Sequence, residues 1–193
     1  NRHILPFTDQ CVQHITSVGF IPENQTPMTG GLKQEGDFIS ILGSHRGELG
    51  GTKYMQNFYP DIRVNPPTVD LAIEPRIHEV LLKSIQEGFI QSAYNVSAGG
   101  LAVAIALSLI IGEEGIGARI HLSRKIRNDE LLFGETQGLI LISFEENNFI
   151  KFERICMQNN IPATTIGRVT GDGKFTFTER INVQVKGMKN LMT

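Results

Sequence analysis

At 193 residues, with 40% apolar and 20% charged side chains, the chain can bury a full core and has an ordinary globular composition. A net charge of −2 offers no basic surface for nucleic acid, and no run approaches the roughly 20 apolar residues that span a bilayer. Cys11 and Cys156 are too few and too far apart for a disulfide scaffold or a zinc site, so free thiols in a reducing, cytoplasmic setting are expected.

Residues 1–34 contain three prolines and scattered polar side chains. They read as an extended arm, with a strand at Val18-Gly19-Phe20-Ile21 entering a domain that runs over residues 35–193. Phe38-Ile39-Ser40-Ile41-Leu42, bracketed by Gly36 and Gly43, predicts the first strand. A glycine-rich loop follows, and then a connection through Pro60, Pro66 and Pro67 that cannot be regular helix. Pro75 suits a first helical position, and Ile77, Val80, Leu81, Ile85 and Phe89 recur behind it at helical spacing.

A strand-leaning segment at Tyr94-Asn95-Val96 turns through Ser97-Ala98-Gly99-Gly100 into a helix that is apolar nearly all round and ends at Gly112 and Gly115. Residues 121–130 are polar and predict a loop or short helix. Leu139-Ile140-Leu141-Ile142-Ser143-Phe144 reads as a strand covered on both faces. A helix over 147–160 carries Phe149, Phe152, Ile155 and Cys156 on one stripe, where burial would blunt the thiol. Two strands, 164–169 and 174–178, flank Gly171-Asp172-Gly173, a hairpin signal, and 181–185 offers a last strand. The fold class is therefore α/β (α+β): a mixed β-sheet with helices packed on it.

The turn at Asn95, Ser97, Gly99 and Gly100 has two readings. A new helix presents unpaired N–H groups and a positive dipole end, which suit a phosphate. The same glycines also serve a tight turn that merely docks a buried helix. Glu135, Thr136 and Gln137 set carboxylate, hydroxyl and amide in a row, suited to ribose hydroxyls or amide nitrogens; equally, Glu135 could cap a loop and Gln137 could bond main chain. Glu48-Leu49-Gly50-Gly51 permits close backbone approach, or is a solvent turn. His3, His14, His45, His78 and His121 show no metal-ligand spacing, and no serine or cysteine stands in a nucleophile motif. No metal ligand and no catalytic group of its own is expected.

Five ordered segments carry a resemblance: Glu35-Gly36-Asp37, Glu48-Leu49-Gly50-Gly51-Thr52-Lys53-Tyr54, Pro66-Pro67-Thr68-Val69-Asp70-Leu71, Asn95-Val96-Ser97-Ala98-Gly99-Gly100-Leu101-Ala102, and Leu132-Phe133-Gly134-Glu135-Thr136-Gln137-Gly138. In this order the chain resembles the phosphoribosylformylglycinamidine synthase family, in the carboxy-terminal domain of aminoimidazole-ribonucleotide-synthetase type from the second half of the synthetase subunit. The resemblance implies ATP-dependent conversion of formylglycinamide ribonucleotide, with glutamine-derived ammonia, to the amidine of purine biosynthesis. It implies ATP and Mg2+ bound mostly outside this chain, and a nucleotide- or substrate-facing role for Glu48, Gly50, Gly51, Asn95, Ser97, Gly99, Gly100, Glu135, Thr136 and Gln137. It further implies amino-terminal domains of the same enzyme and a glutaminase subunit or domain as partners, admits a homodimer, and makes the isolated chain inactive. The start at Asn1 fits a piece of a longer protein. Asn95 and Ala98 stand where the family's second half usually has aspartates, which weakens a magnesium role and keeps open a non-catalytic scaffold or nucleotide-sensing domain.

Overall fold

The computed structural model describes residues 16–21, 23, 27–122 and 125–191. Cys11, His3 and His14 lie outside them, as does most of the arm. Among the described residues seven strands form one sheet: β1 Phe38–Leu42, β2 Ile90–Asn95, β3 Gly117–Ile120, β4 Ile140–Phe144, β5 Ala163–Thr170, β6 Lys174–Phe177 and β7 Ile181–Gln184. Their order is β2-β4-β1-β5-β3-β6-β7, antiparallel at every pairing except β3 with β6.

Strand alternation sorts the apolar residues onto two faces. On one face Leu42, Ile140, Ile142 and Phe144 meet Ile77 and Val80 of helix α2 (Glu74–Gln86) and Phe152, Ile155 and Cys156 of helix α5 (Phe149–Gln158). On the other, Ile39, Ile41, Leu141, Ala118 and Phe175 meet helix α3 (Gly100–Ile110), which buries Leu101, Ile105 and Leu109 completely. Helix α4 (Asn128–Phe133) and the last helix, α6 (Val185–Asn190), pack on that side too. β4 lies between β2 and β1 and all five of its residues are buried, as its unbroken apolar run requires.

Several expectations are corrected. Val18-Gly19-Phe20-Ile21 is not a strand. Val18 and Phe20 are fully exposed, and the run finds no partner on a sheet whose edges are β2 and β7. The turn at Gly171-Asp172-Gly173 reverses the chain, but β5 and β6 do not pair, because β3 lies between them. Four residue steps reach at most about 13 Å, enough to skip one strand at about 4.8 Å spacing. Asp172 Oδ1 holds that wide turn, accepting from the Thr170 hydroxyl at 2.6 Å and the Lys174 N–H at 3.1 Å. β7 stops at Gln184, and Val185 opens α6 instead of ending a strand. Helix α2 starts one residue before Pro75, which still sits in the first turn, where its missing N–H costs nothing. The helix expected over 147–160 begins as a 3-10 turn at Glu146–Asn148.

Asp37, just before β1, is an acidic group on an otherwise apolar face. It is 2% exposed, and burial, helped by the negative charge of Glu145, pushes its carboxyl up to about 6 from an ordinary 3.8. Between those values the folded chain holds more protons than the unfolded one, so this group's contribution falls as pH rises through about 6, and the full cost stands above it. Asp37→Asn should therefore stabilise the chain at pH 7.5, by about 2 kcal/mol, with the gain shrinking toward pH 5. Urea unfolding at both pH values checks this; a gain that is absent at pH 7.5 refutes it.

Candidate functional site

The loop that follows β1, the β2–α3 turn and the segment after α4 come together at one end of the sheet, where β2 ends and β4 begins. The first two are neighbours of the third through main-chain bonds: Glu135 N–H donates to the Glu48 carbonyl at 2.9 Å, and Val96 N–H to the Leu139 carbonyl at 2.9 Å. The Glu135 carboxylate then ties all three. Its Oε1 accepts from the Gly99 N–H at 2.8 Å and from the Lys53 N–H at 2.9 Å. Gly99 is the N-cap of α3, and Lys53 is the first residue of helix α1 (Lys53–Phe58). One carboxylate thus sits against the positive ends of two helices, the place an anionic ligand would take.

Neighbouring side chains reinforce the junction. Thr136 is fully buried and its Oγ1 accepts from the Arg46 N–H at 3.1 Å. Glu48 Oε1 accepts from both the N–H and the hydroxyl of Thr68 at 2.9 Å, while Oε2 accepts from Arg46 Nε at 3.0 Å. Burial alone would raise the Glu48 carboxyl, but the Thr68 donors, the Arg46 charge and the Thr136 hydroxyl together hold it below the usual glutamate value. Arg46 also reaches the Thr68 carbonyl at 2.7 Å, locking the proline-containing connection against the loop. His45, fully enclosed, accepts from the Gly47 N–H at Nδ1 (3.0 Å) and hence donates from Nε2 to the Leu131 carbonyl (2.9 Å).

Gly100 allows the closest approach. Its φ is +69°, and a Cβ there would fall 2.7 Å from the Phe133 carbonyl carbon and 2.8 Å from the Gly134 oxygen. The β2–α3 turn and the end of α4 can touch only because no side chain stands between them. Tyr54 of α1 stacks on Phe133 of α4 at 5.0 Å and 5°, closing the same junction from the other side.

Of the residues singled out from the sequence, Gly99, Glu135, Thr136, Glu48, Gly50 and Gly51 belong to this knot or its loop. Asn95 and Ser97 lie beside it with exposed side chains, Asn95 pairing through main chain with Ile140. Gln137 is exposed and donates to the Glu135 carbonyl at 3.2 Å. Their side chains are neutral amide and hydroxyl groups, able to donate and accept hydrogen bonds. Arg46, Thr52 and Thr68 were not foreseen. A signal existed for Thr52, whose side chain caps α1 by accepting from the Met55 N–H at 3.2 Å.

On the far side of the 47–50 loop, Glu48 and Gly50 border a hollow of about 740 Å³ walled by Met55, Tyr59, Ile62 and Val64. Its volume is that of small-molecule sites in general. Among the described residues no group of three or more His, Cys, Asp or Glu side chains could hold a metal ion. With an amide at Asn95 and the Glu135 oxygen committed to main-chain N–H groups, these motif loops do not fit a resident Mg2+.

Residues 34–180 match the family model described as AIR synthase related protein, C-terminal domain. The chain is 37% identical over 149 residues to the phosphoribosylformylglycinamidine synthase subunit PurL of Symbiobacterium thermophilum, covering 76% of this chain and 19% of that protein. It is 34% identical over 175 residues to the same subunit of Thermoanaerobacter sp. (strain X514), covering 91% and 23%. The chain thus spans about a fifth of the length of these curated relatives. Among solved structures, Thermotoga maritima PurL complexed with FGAR superimposes with a TM-score of 0.67 at 16% identity, over 84% of this chain and 29% of that one. The same protein complexed with ATP gives 0.64 at 19% identity, over 84% and 27%. The structural likeness gives the fold and the sequence match gives the lineage: this chain belongs to the family of AIR synthase related proteins, as their C-terminal domain.

Proposed function

We propose that the chain is the carboxy-terminal domain of a phosphoribosylformylglycinamidine synthase, the ATP-dependent ligase that makes the amidine from formylglycinamide ribonucleotide and glutamine-derived ammonia. In this reading the knot around Glu135 fixes three motif loops as one rigid wall of a nucleotide-facing cleft. Asn95, Ser97 and Gln137 line its rim, while ATP and Mg2+ are held mostly by the domains preceding this one. The observation that carries the role is the single carboxylate oxygen shared by the Gly99 and Lys53 amides. Joining the chain to the amino-terminal portion of a relative and measuring ATP hydrolysis tests it. Turnover that requires both the ribonucleotide and ammonia supports the proposal; a folded, complete protein without such turnover removes it.

A second reading, favoured by the same committed carboxylate and by Asn95, makes the domain purely structural within that enzyme. Calorimetric titration of the chain with ATP or ADP separates the two. Saturable heat at millimolar nucleotide favours a ligand-facing wall, and its absence favours a scaffold.

A further inference from the structure

Between α1 and α2 the chain runs as a strap over residues 59–73, kept out of a helix by Pro60, Pro66 and Pro67. The strap is nevertheless fixed along its length. Tyr59 N–H donates to the Met55 carbonyl at 2.8 Å, and Ile62 N–H to the Tyr59 carbonyl at 3.1 Å. Further on, Glu48 and Arg46 clamp Thr68. The strap crosses Gly50 so closely that a Cβ there would overlap the Asn65 carbonyl oxygen. It therefore forms a ready-made wall of the hollow of about 740 Å³ beside the 47–50 loop.

Leu49, Met55, Tyr59, Ile62, Val64 and Pro66 make most of that hollow apolar. Tyr59, Ile62 and Val64 are each about half exposed, leaving apolar area that a seated molecule would bury. The charged groups at the border are already paired. Glu48 lies 3.0 Å from Arg46, while Arg127 bonds Asp129 at 2.6 and 3.0 Å and lies 3.7 Å from Glu130. Three carboxylates, of Glu48, Asp129 and Glu130, thus border the hollow against one committed guanidinium, that of Arg127. An anion would meet repulsion there, and no bordering cation is left to receive it.

We propose that the hollow behind the strap is a binding site for an uncharged, planar aromatic molecule. Ready-made hollows of this volume, with apolar walls and a few polar groups, are the usual form of small-molecule sites. The rings of Tyr59 and Pro66 offer flat faces, Met55 adapts to the outline of a guest, and the Asn65 amide can donate and accept one bond each. The hollow shares Glu48 and Gly50 with the motif loops, but Asn95, Ser97, Glu135 and Gln137 do not border it. It is separate from the nucleotide-facing cleft and does not rest on that reading.

N-phenyl-1-naphthylamine and 8-anilinonaphthalene-1-sulfonate share one ring system and differ by a sulfonate, so together they test fit and charge. Each dye is held at low concentration while the chain is added at pH 7.5, and dye fluorescence is followed. One neutral dye per chain is expected, with a dissociation constant on the order of 10−5–10−4 M, and binding of the sulfonate weaker by about tenfold or more. Ile62→Glu and Val64→Glu, on the wall, should each weaken the neutral dye by about tenfold or more. Leu71→Glu, on the strap but outside the hollow, and Ile150→Glu on α5 replace exposed apolar side chains and should leave binding unchanged. Absence of saturation with the chain at about ten times that constant overturns the proposal. So does sulfonate binding as tight as the neutral dye's, or neutral-dye binding that both wall variants retain in full. An equal loss in Leu71→Glu would make the strap a protein-docking surface instead, and displacement of the neutral dye by ATP would merge the hollow with the nucleotide cleft; either result overturns the assignment.

Discussion

Replacing Glu135 by alanine is expected to cost about 2–4 kcal/mol in unfolding free energy, from two charge-assisted hydrogen bonds lost together. The Gly99 and Lys53 amides would each lose the acceptor they share, at 2.8 and 2.9 Å. The positive ends of α3 and α1 would also face each other without the negative charge between them. Urea unfolding measures the loss, and hydrogen exchange at Gly99 and Lys53 locates it. Glu135→Gln should recover part of the stability, because its carbonyl oxygen still accepts but carries no charge. A loss below about 1 kcal/mol, with both amides still protected, would show that the knot is held by something else.

Gly100→Ala should be equally damaging for a different reason. At φ +69° an alanine pays the left-handed penalty, and its Cβ meets main-chain atoms of Phe133 and Gly134 at 2.7–2.8 Å. Main chain cannot swing aside as a side-chain tip can, so strain and overpacking together should reach about 3 kcal/mol or more. Gly187 is the contrast: it lies inside α6, nothing approaches its Cβ position within 4 Å, and its φ is unremarkable for a helix. Gly187→Ala should stabilise slightly, by about 0.5–1 kcal/mol. Comparable midpoints for the two variants would refute the steric argument.

What could be read from the sequence follows from the length of each signal. β1 appears residue for residue because its five apolar-rich positions stand between two glycines, and β4, which starts at Ile140 instead of Leu139, because its run is unbroken. The apolar stripe of α2 is equally plain from Ile77 to Ile85, but Phe89, placed on the same stripe, lies beyond the helix end at Gln86 and is buried there just before β2. By contrast, α1 and α6 have six residues each, and β3 has four, too few for either periodicity to emerge from the loops around them. α6 also carries a central glycine that argues against a helix locally.

The candidate site was legible as a set of loops and illegible as a set of bonds. Asn95, Gly99 and Glu135 were singled out, and the fold brings them to one end of the sheet. Nothing in the order of residues says that Glu135 would turn inward to the Lys53 amide, 82 positions away, rather than outward to a ligand. Such a pairing is decided by the packing of α1 and α3, which tertiary contact alone determines. The same holds for Arg46 and Thr68, whose link closes a long connection that local propensity leaves open.

The insertion of β3 between β5 and β6 sets a timetable for assembly. A true hairpin would zip locally around residues 171–173, whereas here the carboxy-terminal strands have nowhere to dock until a segment some fifty positions upstream has been threaded into place. A chain emerging from the ribosome presents β3 early, with one flank awaiting β5 and the other awaiting β6. During that interval the short, glycine-led strand is a poor template for stray partners, and its brevity protects the nascent sheet from sticking to its neighbours.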